Sequence, residues 1–400
     1  MKKLFLLISM ALATGTLFAQ TTDSTTMYTN TAEKLLQTDG KLKIGGYGEV
    51  HYNQPLNSDM RKNGTLDVHR MVMLFGYQFD ERTQFITEIE YEHVEEVYIE
   101  QAWLQYKLTD FINLRGGLML IPMGIVNEYH EPTTFNGVER PLTDKYIAPS
   151  TWREIGFGAT GTILPATLRY QFYVVNGFNG YDGNAKFNGS GGLRGGRQKG
   201  IKSYISSPNF TGKVEYFGIR GLNIGLSAYY GKSQSTLYNN LDKNDNALEQ
   251  QADSSVIDLF MLGADARYQI GGLSLRGQFY FSSLGNTDQY NAFTASGTEL
   301  NDLGSSMTGL YVEAGYNVLK HVSNADKRLV PFVRYANYNT HASVNNLITQ
   351  NESYNKTVIT TGLSFHLSKG AVVKGDVQMF QNEADNTIDY VLNTGIGVMF

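Results

Sequence analysis

Apolar residues alternate with polar or small ones along almost the whole chain. A period of two is the signature of a strand with one face in an apolar environment. Ile44, Gly46, Gly48, Val50 and Tyr52 alternate with Lys43, Tyr47, Glu49 and His51. Phe260, Leu262, Ala264, Ala266 and Tyr268 alternate with Gly263, Asp265, Arg267 and Gln269. Leu273, Leu275, Gly277, Phe279 and Phe281 alternate with Ser274, Arg276, Gln278 and Tyr280. The last segment has Tyr390, Leu392, Thr394, Ile396, Val398 and Phe400 on one face, and Asn393, Gly395 and Gly397 on the other. About sixteen such segments are legible, with the roughly 9–11 residues a tilted strand needs to cross a bilayer.

The connections alternate short and long. Short turns are expected at 80–83, 109–110, 164–166, 218–221, 270–272 and 368–370, and long polar stretches at 54–64, 122–151, 176–207, 231–254, 285–306 and 340–355. Segments 93–96 and 382–387 are short for outer loops, and 320–328 is long for a turn. Barrels of bacterial outer membranes show this rhythm, with short periplasmic turns and long extracellular loops. A soluble sandwich also alternates, but it needs neither so many long strands in series nor that rhythm. In lipid every backbone N–H and C=O must be paired, and closing the sheet removes its edges. The expected fold is therefore all-β: a transmembrane antiparallel β-barrel of about sixteen strands.

Composition agrees. Hydrophobic residues are 42% of the chain, yet mean hydropathy is −0.28, as alternating strands give and spanning helices do not. Gly 42, Tyr 26 and Phe 21 against Pro 8 suit bends and interfacial aromatic girdles, with Tyr77, Phe79, Tyr106, Phe111 and Tyr268 placed at strand ends. The absence of cysteine excludes a lipoprotein anchor and any disulfide framework. A net charge of −5 gives no argument for nucleic acid as a partner. Lys2 and Lys3, the apolar run from Leu4 to Leu17, and Ala19 before Gln20 read as a secretory signal peptide over 1–19, cleaved on export to the outer membrane. Residues 20–40 are expected to form a periplasmic N-terminal segment, with a short helix over 32–36 and the capacity to plug the inner mouth. Residues 41–400 form the barrel.

The segment Gly45-Gly46-Tyr47-Gly48-Glu49, the stretch Asp67-Val68-His69-Arg70-Met71, the run Glu100-Gln101-Ala102-Trp103-Leu104, the later Arg115-Gly116-Gly117-Leu118, and Ile121-Pro122-Met123-Gly124 together resemble Bacteroidetes-type members of the phosphate-selective porin family, the porin O and porin P type. The resemblance implies a sixteen-stranded barrel, commonly a homotrimer, whose activity is solute passage and whose third loop folds into the lumen. The terminal Phe400 resembles the signal read by the barrel-assembly machinery. Outer-membrane lipid and lipopolysaccharide are the expected surroundings.

The third long loop, 122–151, is then the candidate constriction, with Glu128, Glu131, Glu139, Arg140, Asp144 and Lys145, and Arg153 just beyond it. Charges on a constriction facing charged walls set a field across a pore. If each strand turns its more apolar face to lipid, the inward basic residues are Lys43, Arg70, Lys107, Arg115, Arg169, Lys213, Arg267, Arg276, Arg334 and Lys374. The inward acids are Glu49, Glu88, Glu90, Glu92, Glu154, Glu215, Asp265, Glu313 and Asp376. Ten against nine is not the cationic excess that desolvated phosphate would need. The loop 176–207 is more one-sided: Lys186, Arg194, Arg197, Lys199 and Lys202 stand against Asp182, a basic patch suited to anions, or to lipopolysaccharide phosphates, at the outer mouth.

No catalytic site and no cofactor are expected. Glu88, Glu90 and Glu92 alternate as pore lining does, no nucleophile motif appears, and Gly195-Gly196-Arg197-Gln198-Lys199-Gly200 lacks the ending of a phosphate-binding loop. His51 and His69 could meet across the first two strands, but no third ligand accompanies them at a convincing spacing, so no metal is expected. The leading expectation is passive diffusion of small hydrophilic solutes or anions. The alternative is a closed structural or adhesive barrel acting through its loops.

Overall fold

The computed structural model describes residues 27–56, 60–242, 244–322 and 327–400; the signal-peptide reading lies outside them. The strands are β1 (Leu42–Pro55), β2 (Thr65–Gln78), β3 (Thr83–Glu92), β4 (Glu96–Lys107), β5 (Asn113–Leu120), β6 (Arg153–Ile163), β7 (Leu168–Val175), β8 (Asn179–Tyr181), β9 (Asn209–Ile219), β10 (Leu222–Lys232), β11 (Gln234–Ser235), β12 (Asp258–Ile270), β13 (Leu273–Gly285), β14 (Ser306–Tyr316), β15 (Arg328–Ser343), β16 (Asn355–Ser368), β17 (Ala371–Asn382) and β18 (Ile388–Met399). Sixteen of them close into one antiparallel barrel, each paired with its neighbour in sequence and β1 with β18. The remaining two, β8 and β11, form a small parallel sheet inside what the sequence presents as loops. Short helices at Asn246–Ser254 and Thr287–Phe293 likewise occupy stretches whose polarity hides them.

Closure rests on a close approach. Phe400 N–H donates to the Gly46 carbonyl at 2.9 Å and accepts in return at 3.0 Å. A Cβ on Gly46 would lie 2.9 Å from the Phe400 ring, so glycine is what lets the two ends meet. With an even strand number, both ends of the barrel sheet lie at the short-turn end.

The alternation sorts the faces as its period requires. Leu104, Phe157, Leu226 and Ile396 are exposed on the outside, an apolar surface that only a hydrocarbon environment satisfies. At the short-turn end Tyr77 and Phe79 pack edge to face at 4.9 Å. Lys43, Arg70, Glu88, Arg115, Glu154, Arg169, Lys213, Glu215, Arg267, Glu313, Arg334 and Lys374 are buried, on the inward rows. Among the register shifts of the barrel, two bear on the interior. The register shifts opposite Glu49 and Val50 and again at Glu88 and Ile89. A bulge gives one strand an extra residue, and here His69 and Glu100 are the extra residues, both turned inward beside Arg70 and Gln101.

Candidate functional site

The interior is organised by the segment between β5 and β6. Residues 121–132 are buried without interruption, because this loop lies inside the barrel and is tied to the wall on many sides. Ile125 N–H donates to Gln278 at 2.6 Å. Lys213 Nζ donates to the Gly124 carbonyl at 2.6 Å and to Glu128 at 2.9 Å, and Gln171 donates to Glu128 at 2.6 Å. Gln278 and Tyr280 donate to Asp144 at 2.8 and 2.9 Å. Val138 N–H donates to Asp376 at 2.7 Å, and Arg334 donates to the Glu139 carbonyl at 2.9 Å. The loop thereby separates cavities of about 280 Å³ (beside Arg276 and His366) and 200 Å³ (beside Arg115 and Arg169) on the short-turn side from one of about 160 Å³ on the long-loop side.

Most inward cations are spent on partners. Arg70 meets Glu49 at 2.6 Å, Arg334 meets Glu313 at 2.6 Å and Arg267 meets Glu215 at 2.9 Å. Arg276 lies 3.4 Å from Glu313. Lys107 stands at the rim, exposed and paired with Asp110 at 2.8 Å. Lys374 lies 3.7 Å from the centre of the Phe135 ring, and its Nζ has no hydrogen-bond partner among the described residues. Arg115 and Arg169 find a partner that the sequence does not suggest: Glu33, on the helix Thr31–Leu36, at 3.5 and 2.7 Å. That helix sits within the short-turn end, where Lys43 donates to the Leu36 carbonyl and Thr31 N–H donates to Glu131 at 3.2 Å.

A second buried group gathers Tyr47, Glu88, Glu100 and His130. Tyr47 Oη lies 2.7 Å from Glu88 and 2.9 Å from His130 Nε2, which is 3.4 Å from Glu100. Glu100 and His130 carry no periodic signal: one is a bulge residue and the other belongs to a loop.

The basic patch read as an outer mouth turns inward instead. Lys186 is paired with Asp182 at 2.7 Å and Lys202 is exposed. Arg194, Arg197 and Lys199 are half-buried because the loop folds down onto the segment between β5 and β6. Arg197 donates to the Ser150 carbonyl at 2.6 Å and to Thr151 at 2.9 Å. Lys199 and Arg153 share the Tyr98 ring, at 4.9 and 5.6 Å from its centre. Buried nitrogens of Arg153 and Arg194 have no hydrogen-bond partner among the described residues. Burial, with Arg194 and Arg153 alongside, pushes Arg197 down to about 9. Burial lowers Lys199 as well, with Arg197, Arg153 and Arg194 beside it. Opposite them, Arg140 is 3.9 Å from Glu49. Glu139 contacts His51 at 3.2 Å; burial opposes its ionisation, but His51 holds it near 2. Lys145 is exposed at the rim of the same cavity.

No protein-family model matches the chain. The anion-selective porin of Comamonas acidovorans is similar in structure, with a TM-score of 0.56 at 12% identity over 90% of this chain and 99% of that one. OmpF of Salmonella typhi, solved with daunomycin, superposes with a TM-score of 0.56 at 14% identity over 90% of this chain and 97% of that one. OmpT of Vibrio cholerae superposes at 0.53 with 11% identity over 92% and 100%. In sequence, an uncharacterized protein of Aquifex aeolicus (strain VF5) is 30% identical over 371 residues, 89% of this chain and 80% of that protein. The fold is thus that of the bacterial porins, and the chain belongs to the same protein family as the Aquifex aeolicus protein.

Proposed function

We propose that this protein is an outer-membrane porin through which small hydrophilic solutes diffuse, with a preference for anions. One observation carries the anion reading. Arg153, Arg194, Arg197 and Lys199 converge on the long-loop side of the internal loop, and none of them forms an ion pair among the described residues, whereas Arg70, Arg267 and Arg334 on the wall are neutralised at 2.6–2.9 Å. Cations crowded as they are around Arg197 and Lys199 are relieved by an anion, and guanidinium groups with free donors suit phosphate or carboxylate oxygens. The balanced wall adds little selectivity, so the vestibule acts as the filter. Phosphate is the anion to which the family resemblance points. The family's trimeric assembly and its contact with lipopolysaccharide belong to the same reading.

The test is the reversal potential of the purified protein in a planar bilayer under a potassium chloride gradient, with phosphate then added. Discrete steps with an anion-favouring reversal potential, reduced by phosphate, are expected. Steps without anion preference overturn the selectivity. Absence of steps from folded protein overturns the pore itself in favour of a closed barrel acting through its loops.

A further inference from the structure

At the long-loop rim, on the wall next to the vestibule, Asp67, His69 and His93 bring three ligand atoms within 4.8 Å of one another. We propose that these side chains form a binding site for a late first-row divalent cation, for which zinc is the reference ion. The site stands independently of conduction.

Its construction follows from two local features. Asp67 and His69 are two apart on β2, where the register shift opposite Glu49 and Val50 turns His69 inward. His93 opens the tight connection from β3 to β4, and both His93 and Val94 are in the left-handed region, at φ 54° and 66°. A β-branched residue there is strained backbone. The turn throws the His93 imidazole back over β2, while the His93 backbone N–H donates to the His69 carbonyl at 3.3 Å. His69 Nδ1 lies 3.2 Å and His93 Nδ1 2.8 Å from the same oxygen, Asp67 Oδ2.

Two imidazole nitrogens facing one carboxylate make a donor set suited to zinc, nickel or copper(II) and poor for calcium, which takes 6–8 oxygens. A tetrahedral ion with bonds near 2.0–2.1 Å holds its ligand atoms about 3.3 Å apart, so the two distances to Asp67 Oδ2 need to change by only a few tenths of an ångström, while the two imidazole nitrogens, within 4.8 Å of each other, draw together around the ion. Three protein ligands leave a fourth position open to water or a solute.

Behind the site, the His51 ring stacks on His69 at 4.6 Å and 12°. His51 is itself held between Glu49 at 3.4 Å and Glu139 at 3.2 Å. The stacking fixes the ring of one ligand, as supporting residues do in metal sites. His93 is the outermost ligand, with its side chain 49% exposed, so an ion reaches the site from solution.

The experiment is calorimetric titration of zinc chloride into the full-length, detergent-folded protein near pH 7.5, with calcium chloride as the comparison. One zinc per chain and no calcium signal are expected. His93→Ala and His69→Ala should each weaken zinc binding by roughly tenfold or more. His130→Ala, which touches the other cluster of carboxylates and histidine, should leave it unchanged. Heat-modifiable mobility on gels confirms that each variant is folded; His93→Ala, at an exposed position, keeps the test available if His69→Ala does not fold. Failure of the folded wild type to bind zinc overturns the proposal. So does binding that survives His93→Ala, or that is lost with His130→Ala instead.

Discussion

The Glu33 carboxylate, inside the short-turn end of the barrel, accepts a 2.7 Å hydrogen bond from the Arg169 guanidinium. The same carboxylate oxygen lies 3.5 Å from Arg115, so one acid from the N-terminal helix neutralises two cations of the wall. Removing one partner of a buried ion pair costs about 3–5 kcal/mol, because the other charge is left uncompensated. Glu33→Ala should release the helix, raise single-channel conductance and move the reversal potential toward anions, because Arg115 then loses its carboxylate and Arg169 is left with Glu215 at 3.8 Å. The check is planar-bilayer recording of wild type and variant under the same salt gradient. Unchanged conductance would mean that the helix does not limit the path.

The vestibule cations give a second prediction. Arg194 and Arg197 are half-buried, and Arg197 is held by Ser150 and Thr151 rather than by a carboxylate. The double variant Arg194→Gln with Arg197→Gln should lower the anion-to-cation permeability ratio by roughly two- to fivefold, the factor given by about 0.5–1 kcal/mol of screened interaction. The effect should shrink at molar salt, where the screening length falls to about 3 Å. Reversal potentials at low and high ionic strength check both statements. A drop that persists at high salt would point to a change of pore shape instead.

Much of this barrel was legible in the sequence because lipid and interior impose opposite chemistry on alternate residues. A period of two therefore assigned Arg70, Lys213, Arg267 and Arg334 to the inside from spacing alone. The misses have physical causes. Glu100 is a bulge residue, and a bulge breaks the period on which inward assignment rests; the meeting of His51 and His69 across the first two strands, by contrast, was legible and is found as a stacked pair at 4.6 Å. Asp67 and His93 come together through a tight turn with two left-handed residues, which neither hydropathy nor spacing reveals, so the third ligand absent from the sequence reading was hidden there. The partnership of Glu33 with Arg115 and Arg169 spans distances in sequence over which no local pattern operates. Loop 176–207 read as outward because it is polar and glycine-rich; its fold onto Ser150 and Thr151 depends on long-range contacts.

Asp144 gives a pH-dependent prediction. It is almost fully buried in the helix Thr143–Tyr146, where Gln278 and Tyr280 donate to it. Burial raises its pKa from 3.8 to about 6, against the lowering effect of those hydrogen bonds. A carboxyl with a raised folded-state value favours the native state while protonated, and loses that contribution as pH rises through the folded value. Docking of this helix should therefore be firmest below about pH 4 and weaken between about pH 4 and 6, by roughly 3 kcal/mol in order of magnitude. Amide hydrogen exchange of residues 143–147, corrected for intrinsic rates, should show protection falling across that window in the wild type and staying nearly flat in Asp144→Asn. A parallel fall in both would remove Asp144 as the cause.

Lys213 is the tether on which the internal loop most depends. Its ammonium reaches Glu128 at 2.9 Å, Asp265 at 3.4 Å and Glu215 at 3.7 Å, and it also donates to the Gly124 carbonyl. Lys213→Met keeps most of the length of the side chain but leaves the buried Glu128 and Asp265 beside an apolar group without their cation, while Glu215 keeps Arg267 at 2.9 Å. That arrangement should cost about 3–5 kcal/mol, and the cheapest relief is for Glu128 to leave the wall with its loop, since Asp265 and Glu215 are fixed on strands. The variant should therefore form a barrel of normal heat-modifiable mobility whose current is noisier and whose mean conductance is higher. Adding Glu128→Gln should restore quiet conduction in part, by removing one of the stranded charges. If the single variant instead fails to form a barrel while the double variant folds and conducts quietly, the cost falls on the wall and not on the loop. A single variant with wild-type current would show that the remaining ties, Gln171 to Glu128 and Gln278 to Ile125, hold the loop without the lysine.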